Sequence, residues 1–184
     1  MASTTPQFSS RLAKASDITD LKVIMQASIN ELQKPFLDDN QIKASWAFMG
    51  LDTQLIEDGT YFIIQAGQTI AGCGGWSKRA TLYGGDAAQG RSARVLDPQC
   101  EAARTRAMYT NPNFTRQGVG SLILNLCEDA ARAYGFKHAE LMATLAGEPL
   151  YRARGYKVLA RATDDRGGIS VPLIKICLLY TSDA

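Results

Sequence analysis

The clearest chemical signal in the chain is Arg116-Gln117-Gly118-Val119-Gly120-Ser121. It stands where a strand pattern hands over to a helix pattern. The first turn of a helix has N–H groups without intrahelical partners, and the helix dipole adds partial positive charge there. Glycine removes the Cβ atoms that would hold an anion at a distance, so the segment suits a phosphate or pyrophosphate. Arg116 adds a charged donor beside it. The competing reading is that Gly118 and Gly120 only let the helix pack close to a sheet. A dinucleotide loop of the G-x-G-x-x-G type would need glycine at 123, where Ile stands, and no G-x-x-x-x-G-K-[ST] occurs. The loop is therefore wrong for a nucleotide-binding regulatory domain. Cysteines at 73, 100, 127 and 177 form no C-x-x-C pair, and His138 is the one histidine. No metal site is expected, and the cysteines read as free thiols in a reducing cytoplasm.

Those residues need elements to position them. A weak alternation over 9–14 suggests a first strand. Asp17 is placed to cap a helix whose apolar face is Ile18, Leu21, Ile24, Met25, Ile29 and Leu32, ended by Pro35. A shorter helix is expected from Asp38 or Asp39, carrying Ile42, Trp46 and Phe48. Residues 60–66 and 69–78 read as a hairpin around Gly67-Gln68. Residues 80–100 form a polar, glycine-rich connection of a length that is often functional. Then come a strand over 104–110, a helix over 118–134 stopped by Gly135, and a strand over 137–144. That is a βαβ unit, so its two strands should be parallel. A short helix over 148–154 and two strands, 156–162 and 170–180, complete the chain around a turn at 164–168.

Composition narrows the classes. The 184 residues suit one domain over 1–184, and 46% hydrophobic residues can build a core. A net charge of +2 argues against a nucleic-acid binder that relies on a strongly basic face. No apolar run approaches a membrane span, and the polar N-terminus MASTTPQFSS has no signal-peptide core. The expectation is a cytoplasmic protein with no membrane or nucleic-acid partner.

Two motifs at a set separation resemble the GCN5-related N-acetyltransferase (GNAT) superfamily. Met108-Tyr109-Thr110-Asn111-Pro112-Asn113-Phe114 is similar to the strand end that precedes that family's glycine loop, and Gly118 and Gly120 match its glycines. Leu150-Tyr151-Arg152-Ala153-Arg154-Gly155-Tyr156 is similar to its later tyrosine–glycine–aromatic motif. The order of elements also agrees, although the first hundred residues match in pattern only. The resemblance implies a mixed α/β fold. Its sheet would be twisted and mostly antiparallel, of about seven strands, with a central parallel pair that splays apart and helices on both faces.

The resemblance also implies a chemistry. Acetyl-CoA would be the acetyl donor, with no metal. Its pantetheine arm would lie along Met108, Tyr109 and Thr110. Its pyrophosphate would take the backbone N–H groups of Arg116, Gln117, Gly118, Val119, Gly120 and Ser121. Thr144 stands where many members carry an asparagine on the second splayed strand, and Thr115 replaces a usual Gln or Arg. A primary amine of a small molecule or protein would attack the thioester, and Tyr151 would give the departing thiolate a proton. An N–H near Tyr109 or Thr110 would polarise the thioester carbonyl.

In some members a glutamate on the first splayed strand is the base, but here Arg104 holds the matching position. Glu101 is taken as the candidate base. It lies three residues earlier, so alternation points it the other way unless a bulge intervenes. Glu148, Asp97, Asp86 and a water chain remain open. A homodimer is possible, and a non-catalytic acyl-CoA-binding module is the alternative function. Trp46, Phe48, Trp76 and Tyr83 are either walls of an apolar amine pocket or ordinary core. His138 reads as structural. The arginines at 91, 94, 104 and 106 read as a solvated face or loop.

Overall fold

The computed structural model describes residues 7–180. The start of the polar N-terminal stretch, residues 1–6, lies outside them. The elements run β1 (Phe8–Leu12), α1 (Ile18–Leu32), α2 (Asp39–Ser45), α3 (Thr53–Glu57), β2 (Tyr61–Ala66), β3 (Thr69–Ser77), β4 (Ala103–Thr110), α4 (Val119–Tyr134), β5 (His138–Thr144), α5 (Glu148–Ala153), β6 (Lys157–Asp164) and β7 (Val171–Leu179). The seven strands form one sheet in the order β1-β2-β3-β4-β5-β7-β6. Every neighbouring pair is antiparallel except β4–β5, which is parallel as the βαβ reading requires.

Helices cover both faces, and each face has its own core. On one side Leu21, Met25 and Ile29 of α1, spaced by four, pack with Ile42 of α2 and Leu55 of α3. On the other side Val119, Ile123, Leu124, Cys127 and Ala131 of α4 pack with Tyr151 of α5. Two glycines of β3 let α4 come this close. A Cβ at Gly72 would stand 2.5 Å from Val119 Cγ1, and one at Gly74 would stand 2.6 Å from Ile123 Cγ2.

Some local expectations change. Asp17 does not cap α1. Its carboxylate accepts the Lys14 N–H at 2.7 Å and two bonds from Arg11 at 2.8 Å, closing a 3₁₀ turn over Ala15–Asp17. Asp38 does cap α2, accepting the Gln41 N–H while Gln41 returns a bond to the Asp38 N–H. That helix ends at Ser45, so Trp46 and Phe48 belong to the connection that follows. Helix α3 has no counterpart in the sequence reading, because five residues are too few to show a helical period.

Strands β4 and β5 pair only at Ala103–Ala139 and Arg104–Glu140. Beyond that point they part. The cause lies on the other edge of β4. Between Cys73↔Tyr109 and Gly75↔Arg106, β4 contains one residue more than β3. The extra residue is a β-bulge at Ala107, whose φ is +49°. The buried Tyr61 hydroxyl donates to the Ala107 carbonyl at 2.7 Å and holds it. The bulge shifts the strand's alternation by one. Ala103 and Met108 face the α4 layer, while Ala107 and Tyr109 face the α1 layer.

Candidate functional site

Two hollows meet at the gap between β4 and β5. The first is a cleft of about 490 Å³ at the start of α4, lined by Thr110, Arg116, Gly118, Val119, Gly120 and Ser121 and closed by Ala146, Pro149 and Leu150. The first bond of the helix runs from the Leu122 N–H to the Gly118 carbonyl at 3.0 Å. The N–H groups of Val119, Gly120 and Ser121 come before it, so they are left for an outside acceptor. Arg116 and Gly118 both have left-handed backbone, with φ +61° and +86°. Left-handed turns of this kind gather successive N–H groups into an anion-holding hollow. The glycines have different reasons. Gly118 is required by its φ, and a Cβ there would meet nothing within 4 Å. At Gly120 a Cβ would come within 2.6 Å of Leu150 Cδ2 on the cleft wall. Gln117 turns its amide back to the Asn113 carbonyl at 3.3 Å.

The second hollow, of about 170 Å³, passes through the split sheet. Ser28, Ile29 and Leu32 of α1 line one end, and Gly147 and Tyr151 line the other. Thr105 to Tyr109 and Leu141, Met142 and Thr144 form the walls between. Ala146 borders both hollows. Of the residues expected in a site, Thr110, Arg116, Gly118, Val119, Gly120 and Ser121 line the cleft and Gln117 does not, while Met108, Tyr109, Thr144 and Tyr151 line the cavity.

Tyr151 is held in place from its own helix. Its N–H donates to the Gly147 carbonyl, and a Cβ at Gly147 would stand 2.9 Å from its ring. Its ring meets Tyr156 edge-on at 5.7 Å. Its hydroxyl lies 3.5 Å from the Met108 sulfur. Burial pushes the phenol well above its usual pKa, so it stays protonated at neutral pH. In that form its O–H can donate a hydrogen bond or a proton and cannot accept one as a base. The Thr144 hydroxyl accepts the Gly147 N–H at 3.1 Å, which orients the turn into α5. Tyr109 faces the opposite way and accepts the Gly50 N–H at 2.7 Å.

The carboxylates considered from sequence are engaged elsewhere. Glu101 is the correction. It precedes β4 and lies seven residues from Met108, roughly 20 Å of extended chain. The bulge occurs at Ala107, beyond Glu101, and cannot redirect it. Arg94 grips its carboxylate at 2.7 and 3.0 Å, and the Asp97 N–H adds a bond at 2.8 Å. The Arg94 hydrogen bonds first, then the Asp97 N–H, hold its pKa down to about 2. Such a carboxylate is a poor proton acceptor, and it does not line the cavity. Glu148 is paired with Arg152 and Arg161, and Asp86 with Arg91 and Thr53. Asp97 accepts the Gln99 N–H.

One carboxylate that the sequence reading did not single out does border the cavity. Asp52 is 1% exposed. One of its oxygens accepts from Arg106 at 2.6 Å and the other from Arg91 at 2.6 Å. Arg106 also donates to the Gly84 carbonyl at 2.6 Å and to the Thr81 carbonyl at 3.0 Å. So Arg106, read as a surface residue, is buried and ties the 80–100 connection to β4. Burial lowers its pKa, and Asp52 pulls it back up. Arg104 instead pairs with Glu140 at 2.7 Å. Of the four aromatics noted, Phe48 and Tyr83 line the cavity. Trp76 packs on Tyr134 and Phe136 in the α4 layer.

Among the described residues, no group of three or more His, Cys, Asp or Glu is placed to hold a metal ion, and no helix is long and apolar enough to cross a membrane.

The model of the Acetyltransferase (GNAT) family matches residues 25–156. The chain is also similar to many solved structures. A GCN5-related N-acetyltransferase from Rhodopseudomonas palustris shares 19% identity, with 97% of this chain and 98% of that one covered at a TM-score of 0.70. The PaiA N-acetyltransferase from Thermoplasma acidophilum, solved with coenzyme A, shares 13% identity, with 95% and 99% covered at a TM-score of 0.63. YncA from Salmonella typhimurium, solved with acetyl-CoA and described as a putative acetyltransferase, shares 16% identity, with 97% and 96% covered at 0.63. No curated protein matches the chain.

Proposed function

The chain belongs to the GNAT acetyltransferase family, and on that premise we propose that it transfers the acetyl group of acetyl-CoA to a primary amine by direct attack on the thioester. One observation carries this reading. The sheet is open between β4 and β5, with a phosphate-ready cleft on the α4 side and a cavity bearing Tyr151 behind it, joined at Ala146. The pyrophosphate would sit on the N–H groups of 118–121 beside Arg116. The pantetheine arm would follow the edge of β4 that β5 leaves free, and present the thioester near Met108 and Tyr151.

The reaction balances without a further reactant. The amine nitrogen bonds to the acetyl carbon, the carbon–sulfur bond breaks, and coenzyme A leaves as a thiol. Tyr151 gives its proton to the departing sulfur, while N–H groups of β4 stabilise the oxyanion. The nitrogen must lose a proton. Asp52, the carboxylate on the cavity wall, is held by two guanidiniums, so the amine reacts in its neutral form and water takes the proton its nitrogen loses and returns one to the Tyr151 phenolate.

Calorimetry with acetyl-CoA, followed by thiol release across a panel of amines, tests the proposal. Binding in the cleft together with amine-dependent thiol release is expected. Binding without release on any amine would leave a non-catalytic acyl-CoA module.

A further inference from the structure

We infer that the acceptor is a small monoamine with an apolar body of about one ring, and not a peptide or a polyamine. The inference rests on the acetyl-transfer reading and names the acceptor class for the same cavity.

Access is the first argument. Tyr83, Gly84 and Gly85 line the cavity, and the segment they begin, residues 83–89, is fastened on both sides. On one side the Gly85 N–H donates to the Phe48 carbonyl at 3.1 Å and the Asp86 N–H to the Leu51 carbonyl at 2.8 Å. On the other side the Tyr83 hydroxyl donates to Asp164 at 2.8 Å, and Arg166 donates to the Gln89 carbonyl at 3.0 Å. The Arg166 guanidinium also lies over the rings of Tyr83 and Phe48, at 5.0 and 5.7 Å. From beneath, Arg106 holds the Gly84 carbonyl. The far anchor is itself fixed, because the turn after β6 sits on α2. A Cβ at Gly167 would lie 2.1 Å from the Ala44 carbonyl oxygen. A polypeptide would have to run between the two sides that this strap joins. A small molecule has only to pass its edge.

Charge is the second argument. Asp52 and Arg106 are the charged residues lining the cavity, and they are 2.6 Å apart, with Arg91 on the second carboxylate oxygen. Among the described residues, no lining carboxylate is free for a second ammonium, and no lining guanidinium is free for a substrate carboxylate. A polyamine or an amino acid would leave a charge unpaired in a confined space, which disfavours both.

The surface and size give the third argument. Met49, Met108 and Met142, three of the chain's five methionines, line the cavity together with Phe48 and Tyr83. Thioethers adapt to, and attract, aromatic edges. A cavity of about 150 Å³ holds benzene, and this one measures about 170 Å³. The acetyl group takes the Tyr151 end of this same space, so what remains on the α1 side suits an acceptor no larger than one ring or its aliphatic equivalent.

The test compares phenethylamine, spermidine and a lysine-containing peptide on the full chain at saturating acetyl-CoA, by thiol release. Calorimetry of each amine on the coenzyme A complex accompanies it. Phenethylamine should bind and turn over with kcat/KM at least about 100-fold above the other two. Met49→Glu, at a half-buried position, should narrow or reverse the preference for phenethylamine over spermidine without changing acetyl-CoA binding. Phe48→Ala should raise the phenethylamine KM. Turnover of spermidine or the peptide equal to or above that of phenethylamine overturns the inference while leaving acetyl transfer standing. Failure of acetyl-CoA to bind overturns the acetyl-transfer reading, and this inference with it.

Discussion

Replacing Tyr151 with phenylalanine removes one oxygen and keeps the ring. The hydroxyl's contact is the Met108 thioether at 3.5 Å, a long bond to a weak acceptor. The ring keeps its edge-on contact with Tyr156. Folding stability should therefore fall by less than about 1 kcal/mol. The acetyl-CoA Kd should hold, because the cleft lining does not include this residue. Turnover should fall by about 10²–10⁴, the usual worth of a positioned proton donor, which is roughly 3–5 kcal/mol in the barrier. The pH dependence gives a second reading. Burial raises the Tyr151 pKa, so the donor form persists across the accessible range. The wild-type rate should climb with the neutral fraction of the acceptor amine and show no falling limb up to about pH 10. Thiol release at saturating acetyl-CoA measures turnover, and calorimetry and urea unfolding supply the controls. A fall of less than about threefold, with an unchanged pH profile, would refute the proton-donor assignment.

Three further outcomes are expected. Asp52→Ala strands the buried Arg106 and should cost about 3–5 kcal/mol in urea unfolding, most of it regained when Arg106→Met is added; an unchanged midpoint would contradict the buried-pair account. Gly118→Ala forces a Cβ into φ +86°, so it should cost about 1–2 kcal/mol and weaken acetyl-CoA binding. Thermal melts and calorimetry check both effects. Glu101→Gln should leave turnover within about twofold of wild type. The Glu101 carboxyl is lowered from 4.5 to about 2, so its contribution to stability is present above pH 4.5 and is lost as pH falls from there towards 2. Acid titration followed by fluorescence should show the variant losing stability less steeply in that window.

Much of the scaffold was legible because it is written in short-range periods. The steps of three and four in α4, the turn at Gly67, and the strand–helix–strand order need no distant partner to be recognised. The glycine turn into α4 was legible for the same reason, since a helix start with free N–H groups shows itself in small residues ahead of an apolar period. What failed was each inference that turned on a contact no helical or strand period announces. Arg106 reads as solvated until Asp52, 54 residues earlier, arrives beside it in the fold. Glu101 reads as an available carboxylate until Arg94 and the Asp97 N–H close on it. Trp76 and Phe48 look alike as aromatics, but one packs under α4 and the other walls the cavity.

The gap between β4 and β5 shows the division best. The amino-acid order determined that two strands flank α4 and run parallel, because a right-handed crossover allows little else. The family resemblance added that they splay apart, but neither it nor the amino-acid order placed the parting after two residue pairs. That depends on Ala107 taking a left-handed φ that no alanine prefers, imposed by the β3 register and by the Tyr61 hydroxyl. The free backbone donors at the start of α4 thus follow from local sequence. The walls of the cavity come from α1, the α2–α3 connection, the 80–100 connection and β5, segments that only packing brings together.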